Sequence, residues 1–478
     1  MKFHTLLICL SAAGCTTVGP DYEKPEIHLP EAHRASLETL DGTYGNDLSD
    51  PLALESWWAA FGDPVLTNLI DMAVLQNYDL GQAMARVLEA EARLGVSRGT
   101  GGPRVDGSGA YRRSGISENT QFGLFPGQAR ESDDHTVGVN AAWELDLWGK
   151  ARRSIEAAEA DLAAGVEGVW AVRVSLAAQV ADAYLRLRET ERRSQIAASN
   201  VEVLLRGVET TQARFDAGLV QELDLLRART DLETARAVLP SLQRIQQAVI
   251  TELCLLAAVE PGALDGLLKK RDEGAVQIPN PRGRLGTQVP GDLLRRRPDV
   301  RQAERQLAAQ TARVGVATAE LYPSLSLIGS VGFQAEKTSN LIEDTSFVYG
   351  VGPGVTLPLF SGGALRANIA GADARVEQAL LVYKSSVLSA LHEVDMAATS
   401  ISLESVRLGA LQAAVTQANE SLSRSQALYR EGLASIDAVL DSRRALFLVQ
   451  DQSTIARSAL ARAHVDLYRA LGGGWPVD

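Results

Sequence analysis

The feature that most constrains the fold is a row of apolar residues that recurs every seven positions in the second half of the chain. The row comprises Leu380, Val387, Val394, Ile401, Leu408, Val415, Leu422 and Tyr429. A heptad pattern of this length keeps one face of a helix against its neighbours and makes packed helices supercoil. We therefore predict a helix from about residue 364 to 432 that packs against other helices along its length.

The chain is also duplicated. A shift of 214 residues places Phe215-Asp216-Ala217-Gly218-Leu219 on Tyr429-Arg430-Glu431-Gly432-Leu433. Proline, which interrupts helices, is absent from residues 127–239 and 359–475. Each half is predicted to contain a helix, two strands, a long helix and a further helix. The predicted divisions are a first repeat at 57–260, a proline-rich and glycine-rich linker at 261–291, a second repeat at 292–471 and a tail at 472–478.

The helices of the first repeat follow from the same signals. The long helix is predicted at about 150–218, and the glycines at its end and at residue 432 suit left-handed C-terminal caps. Asp63 and Pro64 mark the start of a helix that continues to about Ser97. A last helix is predicted at about 222–258, with a kink at Pro240.

Four segments alternate apolar with small or polar residues, at about 104–113, 136–148, 324–334 and 347–360. A half-buried soluble sheet and membrane-spanning strands would both show this alternation. Four strands cannot close a barrel, and an open edge in lipid is not viable, so a membrane sheet would need several chains. Asp133, Asp134 and His135 are expected in an extracellular loop between two strands.

The N-terminus has the pattern of a targeting signal. Lys2 precedes a short apolar stretch that ends in Ala12-Ala13-Gly14-Cys15, which resembles a bacterial lipoprotein box. We predict a signal peptide at 1–14 and a lipidated N-terminal segment at 15–56, with the lipid on Cys15. Two or more acyl chains anchor a protein stably in a bilayer. Thr16 after the cysteine suggests, by resemblance, the outer membrane.

Composition and residue spacing exclude several functions. A net charge of −12 argues against a nucleic-acid binder. Cys254 would have no disulfide partner in the processed chain, and we expect it to be a small buried residue. The histidines and methionines show no metal-ligand spacing, and no catalytic triad or paired-acid site is evident. We therefore expect no enzyme, no metal and no cofactor other than the covalent lipid on Cys15.

Several motifs together resemble one family. They are Cys15 through Val18-Gly19-Pro20-Asp21-Tyr22, Trp57-Trp58 with Phe61 and Asp63-Pro64, Leu294-Arg295-Arg296-Arg297-Pro298-Asp299-Val300, Leu321-Tyr322-Pro323, Pro358-Leu359-Phe360, and Leu467-Tyr468-Arg469-Ala470-Leu471-Gly472-Gly473-Gly474-Trp475. With these motifs the chain resembles the outer membrane factor (TolC-like) family, and within it the NodT-type efflux lipoproteins that partner resistance-nodulation-division pumps.

The resemblance implies a mainly α fold with membrane β-strands. In it, a homotrimer closes a twelve-stranded β-barrel that is continued by a long coiled α-helical barrel across the periplasm. The implied function is the lipid-anchored outer membrane exit duct of a tripartite efflux system. The duct passively conducts drugs or other small solutes delivered by a periplasmic adaptor (membrane fusion) protein and an inner membrane pump. A type I protein-secretion exit duct and a non-conducting periplasmic coiled-coil lipoprotein remain as alternatives.

The resemblance also assigns site residues. The tips expected to contact the adaptor are Gly218, Leu219, Gly432 and Leu433. The residues expected to close the periplasmic gate are Asp441, Arg444, Asp437, Asp224 and Arg227. The alternative for Asp441 and Arg444 is an ordinary exposed i,i+3 ion pair, which contributes only ~0.2–0.5 kcal/mol.

Overall fold

A computed structural model describes residues 17–25, 54–117, 130–268, 276–281 and 296–475. The predicted signal peptide, Cys15 and parts of the predicted linker lie outside these ranges. The chain divides into two compact units, which are treated separately below. The first unit contains residues 86–165 and 302–383 with the N-terminal segment, and the second contains most of the remaining helices.

The predicted order of elements is confirmed in both repeats. The first repeat contains α1 (Pro64–Gln76), α2 (Tyr78–Thr100), β1 (Arg104–Gly115), β2 (Glu131–Leu145), α3 (Lys150–Asp216) and α4 (Glu222–Leu256). The second repeat contains α5 (Pro298–Ala319), β3 (Ser324–Ala335), β4 (Phe347–Thr356), α6 (Ala364–Arg430) and α7 (Ile436–Ala470). Shorter helical segments lie at Trp57–Phe61, Asp265–Leu268, Thr338–Asn340 and Asp344–Ser346.

The helix predicted from Asp63 to about Ser97 is wrong in one respect, because the structure breaks it into two helices at Asn77. This residue is extended, with ψ at 130°. Its side-chain oxygen accepts hydrogen bonds from the backbone N–H groups of Asp79 and Leu80, at 2.9 and 3.0 Å. An asparagine oxygen that satisfies the first free N–H groups of a helix is an N-cap, so Asn77 starts α2.

The long helices match the heptad prediction. Helices α3 and α6 each contain 67 residues. None of the eight residues of the heptad row on α6 is exposed, and Val387, Val394 and Ile401 are buried. Helix α4 continues through Pro240. None of the described helices combines the length and the apolar character that crossing a membrane requires.

The four strands form one antiparallel sheet in the order β1-β2-β3-β4. The register places Val139 opposite Val331, and Val331 opposite Tyr349. Because side chains alternate along a strand, most apolar residues of β2, β3 and β4 share one face, and most glycines and serines share the other. The exceptions are Ile328 and Val348 on the small-residue face and Gly329 on the apolar face. Gly138 and Gly332 face each other so closely that a Cβ on Gly332 would lie 2.4 Å from the carbonyl oxygen of Val137.

The expectation that residues 133–135 form a loop is wrong, because β2 already begins at Glu131. The polar side chains at this end of β2 form hydrogen bonds and ion pairs with residues on β1. Arg113 pairs with Glu131 at 2.5 Å, and the Tyr111 hydroxyl donates to Asp133 at 3.0 Å. The Tyr111 ring also stacks on His135, with 4.8 Å between ring centroids. Cross-strand pairs of this kind stabilise a sheet and extend this hairpin.

The second unit has an aromatic core at the predicted tryptophan motif. The Trp57 ring stacks on Tyr468 with 5.2 Å between centroids. Asp63 caps α1 and accepts a hydrogen bond from the buried Tyr184 hydroxyl at 2.7 Å. Cys254 is buried and forms no disulfide, which confirms its predicted role as a small core residue.

Candidate functional site at the two helix turns

The turns after α3 and α6 have the same backbone geometry. Gly218 has a φ of +71° and Gly432 a φ of +74°. In each turn the N–H of the following leucine donates to the carbonyl five residues earlier, at 2.8 Å. This is the Schellman motif, in which a left-handed residue closes the helix, and only glycine adopts that conformation without strain. The predicted C-terminal caps are confirmed.

Each turn presents a leucine to its surroundings. Leu219 is 73% exposed and Leu433 is 72% exposed. The duplication has therefore kept an apolar side chain at the same position of both turns. Exposed apolar side chains at two matching positions are available for contact with another protein.

The helices that leave the two turns are capped differently. At the start of α4, Gln221 and Asp224 form a capping box, in which the Asp224 carboxylate accepts from the Gln221 N–H at 3.2 Å. At the start of α7, Ser435 makes no capping hydrogen bond through its side chain. Asp224 thus serves as a helix cap and, among the described residues, forms no ion pair with the other predicted gate residues.

The other four predicted gate residues form ion pairs near the starts of α4 and α7. Arg227 on α4 donates to both carboxylate oxygens of Asp437 on α7, at 3.0 and 3.1 Å. Arg444 donates to Asp441 at 2.9 Å within α7. Arg444 also reaches both oxygens of Asp231 on α4, at 2.7 Å each. The structure therefore links α4 to α7 through two ion pairs with opposite polarity.

Sequence analysis did not identify Asp231. It lies 213 positions from Arg444, so no local spacing joins the two residues. The available signal was that Arg227 and Asp231 are four residues apart and share one face of α4. A search for a second charge on the face that carries Arg227 would have found it.

The ion pairs are partly exposed, and a buried cluster supports them. Arg444 is 55% exposed, whereas Asp231 is 16% exposed. The hydrogen bond with Asp231, followed by the charges of Asp231 and Asp441, raises the pKa of Arg444 above its ordinary value. Exposed ion pairs contribute only ~0.2–1 kcal/mol each. Leu204, Leu232 and Leu440 form a buried cluster that brings α3, α4 and α7 together beside these pairs.

A further contact joins α3 to α6 immediately before the turns. The Arg214 guanidinium donates to the Tyr429 hydroxyl and lies over the Tyr429 ring, 4.6 Å from its centroid. Such a cation–π contact contributes about 0.5–1 kcal/mol at an exposed site. Sequence analysis placed Tyr429 in the heptad row but did not predict this partner.

The chemistry available at the turns is electrostatic. Carboxylate groups on α4 and α7 pair with guanidinium groups on the other of these two helices. Within the described ranges, no three His, Cys, Asp or Glu side chains are arranged to hold a metal ion. The arrangement can hold α4 and α7 together and can release them when the ion pairs break.

The N-terminal segment at 17–25 is a second candidate site, within the first unit. The Val18 N–H donates to the Trp148 carbonyl at 3.0 Å. Arg153, whose side chain is 4% exposed, donates to Asp21 at 2.6 Å. Gly19 packs on Gly315, and a Cβ on Gly19 would lie only 2.4 Å from the Gly315 Cα. These contacts fix the residues that follow the predicted lipid site.

Comparison with known proteins identifies relatives along nearly the whole chain. The profile of the outer membrane efflux protein family matches residues 69–258 and 289–473. Nodulation protein T of Rhizobium leguminosarum bv. trifolii is 29% identical over 99% of this chain and 97% of that protein. The pyoverdine export outer membrane protein OpmQ of Pseudomonas aeruginosa is 31% identical over 90% of each. The solved outer-membrane channel OprN is 32% identical, with a TM-score of 0.85 over 96% of this chain and 100% of that chain.

The duplicated, mostly helical fold with one small sheet places this chain in the class of TolC-like outer membrane channels. This chain belongs to the outer membrane efflux protein family. It is an outer membrane exit duct for efflux. The family predicted from the sequence motifs, the outer membrane location and the role as an exit duct are thereby confirmed.

Proposed function

We propose that three copies of this chain close their sheets into one twelve-stranded barrel, continued by an α-helical barrel, and conduct solutes passively. The observation that carries this proposal is the sheet itself, whose four strands have one apolar face and two open edges, β1 and β4. An open edge in lipid leaves backbone N–H and C=O groups without partners, which costs several kcal/mol per group. Pairing β1 of one copy with β4 of the next removes both edges.

The two faces of the sheet suit lipid on one side and water on the other. Tyr349, Val351 and Val355 on β4 are 70–77% exposed. Contact with lipid would remove this apolar surface from water, and such burial is favourable by about 25 cal/mol per Å². The opposite face carries Gly350, Gly352 and mostly small or polar side chains, which leave room for a lumen, together with Ile328 and Val348.

The N-terminal segment supports a lipid anchor on Cys15. Thr17 packs against Gly149, just after the end of β2, where a Cβ on Gly149 would lie 2.6 Å from the Thr17 side chain. Thr17, two residues after the proposed lipid site, thus lies at this end of the sheet, which suits an anchor whose acyl chains enter the periplasmic leaflet.

The ion pairs between α4 and α7 are proposed to close the periplasmic gate. Because Arg227 and Arg444 each join α7 to α4 within one chain, breaking them would free the start of α7. A trimer has three such points around its axis. Their simultaneous release would widen the tip while the Schellman turns stay intact.

The exposed Leu219 and Leu433 are proposed to contact a periplasmic adaptor, which links the duct to an inner membrane pump of the resistance-nodulation-division type. Two matching apolar contacts per chain would give a trimer six, which suits a ring of adaptor hairpins. In this proposal the chain has no catalytic role. The proposed cargo is a small solute, with secreted protein as the alternative cargo.

Neighbouring residues on β3 provide the test. Val331 lies on the apolar face, and Ser330 on the small-residue face. An arginine on the lipid side of a barrel costs about 2–4 kcal/mol at mid-membrane, whereas a lumen arginine is tolerated. We expect Val331→Arg to lower the amount of heat-resistant oligomer in outer membranes by at least about tenfold, and Ser330→Arg to leave it near wild type. Equal loss in both variants, or in neither, would contradict the proposal.

A further inference from the structure

The second unit contains a cavity that the exit-duct function does not explain. It has a volume of about 850 Å³ and lies between α3, α6, α7 and residues 276–278. Three arginines line it, Arg192, Arg443 and Arg457, and no aspartate or glutamate among the described residues does. An open cavity of this size can hold a small molecule.

These arginines differ from others on the same helices. Arg193 pairs with Asp451 at 2.7 Å, and Arg462 pairs with Asp182 at 2.5 Å. Among the described residues, neither Arg443 nor Arg457 has a carboxylate within ion-pair distance. In a chain with a net charge of −12, three guanidinium groups that line one cavity without a described acid beside them form a local excess of positive charge.

Arg443 is the arginine whose charge is least favourably placed in this cavity. Partial burial, with the nearby positive charge of Arg206, lowers its pKa below the ordinary value for arginine. A partly buried cation without a counter-charge is unfavourable, because burial removes water and supplies no replacement. An anion in the cavity would remove that cost.

We propose that this cavity binds a small polyanion that carries two or more carboxylate or phosphate groups. A guanidinium group presents a planar fork of N–H donors that matches carboxylate and phosphate oxygens. Ser199, Asn200 and Ser453 supply further polar contacts on the wall. The wall at residues 276–278 is held in place because Gln195 accepts a hydrogen bond from the Val276 N–H at 3.0 Å.

Bound there, the polyanion joins the two repeats. Arg192 lies on α3 of the first repeat, and Arg443 and Arg457 lie on α7 of the second. One ligand that contacts both helices favours the arrangement in which they lie together. Binding therefore raises the melting temperature of the protein as the ligand concentration increases.

The test is calorimetric titration of the full-length purified protein in detergent with citrate and, separately, with inorganic pyrophosphate. We expect saturable binding with one site per chain, and the better of the two probes shows whether carboxylate or phosphate is preferred. Arg443→Gln and Arg457→Gln should each weaken binding about tenfold, equivalent to ~1.4 kcal/mol. Arg424→Gln is the matched control, because Arg424 is an exposed arginine on α6 that pairs with Glu420 and does not line the cavity.

Melting temperatures provide a second readout that does not depend on heat of binding. Citrate or pyrophosphate should stabilise the wild type and the control variant, and should stabilise Arg443→Gln much less. Circular dichroism before ligand addition checks that every variant is folded. The proposal is overturned if neither probe binds saturably, or if Arg443→Gln and Arg424→Gln bind equally well.

Discussion

The two helix turns have the same backbone conformation, but different interactions stabilise the start of the helix that follows each turn. Both have a left-handed glycine and an exposed leucine, at Gly218-Leu219 and Gly432-Leu433. After the first turn, α4 is capped locally by its own residues. After the second turn, α7 lacks a side-chain cap, and its charged residues are paired with α4 instead. The duplication has thus preserved the turn, while the start of α7 depends on contacts that can be broken.

The largest effect is expected from Arg444→Ala, which removes the contacts with both Asp231 and Asp441. Each exposed pair contributes ~0.2–1 kcal/mol, so loss of both should raise the ratio of open to closed tips between about twofold and about thirtyfold. The measurement is single-channel conductance in a planar bilayer. Arg424→Ala removes an exposed intrahelical pair on α6 and serves as the control. Wild-type conductance in Arg444→Ala would refute the gate.

Gly218→Ala and Gly432→Ala test whether the turns are equivalent. A left-handed alanine costs about 1–2 kcal/mol, so both variants should lower the melting temperature by similar amounts. Gly409→Ala is the control, because Gly409 lies inside α6 and an added Cβ would have open space around it. Alanine in a helix interior is favoured over glycine by ~1 kcal/mol, so this variant should be more stable. Destabilisation by all three would show that the glycine conformation is not the cause.

The features that followed from sequence are those encoded over short distances or by repetition. The heptad row on α6 predicted a long packed helix, and Gly218 and Gly432 predicted the caps. The break at Asn77 was missed because the prediction rested on the start signal at Asp63 and Pro64, whereas the cap at Asn77 depends on side-chain hydrogen bonds that only the structure shows. The pair between Asp231 and Arg444 was missed because it depends on how α4 and α7 pack, which no spacing along the chain records.

The caps themselves can be compared through Asp224→Ala and Ser435→Ala. Loss of a capping side chain costs about 0.5–2 kcal/mol. We expect Asp224→Ala to lower the stability of the tip by about 1 kcal/mol, and Ser435→Ala to have little effect because its hydroxyl makes no capping bond. Hydrogen exchange of the backbone amides at the starts of α4 and α7 measures this locally. Faster exchange at the start of α7 in Ser435→Ala would contradict the conclusion that α4 has a side-chain cap and α7 has none.

The smallest effect is expected for the pair between Arg227 and Asp437, both of which are about half exposed. A double-mutant cycle with Arg227→Ala and Asp437→Ala should give a coupling free energy of ~0.2–1 kcal/mol. The coupling should decrease at ~1 M salt, where the screening length is about 3 Å. A coupling that does not change with salt would mean that the two side chains interact by packing and not by charge.

The central claim is that several copies of this chain together form one conducting pore. The most direct measurement records conductance in a planar bilayer from a purified oligomer whose mass has been determined in the same preparation. The account predicts a particle of three chains that inserts with uniform conductance steps. A stable single chain, or a trimer that inserts without conducting, would contradict it.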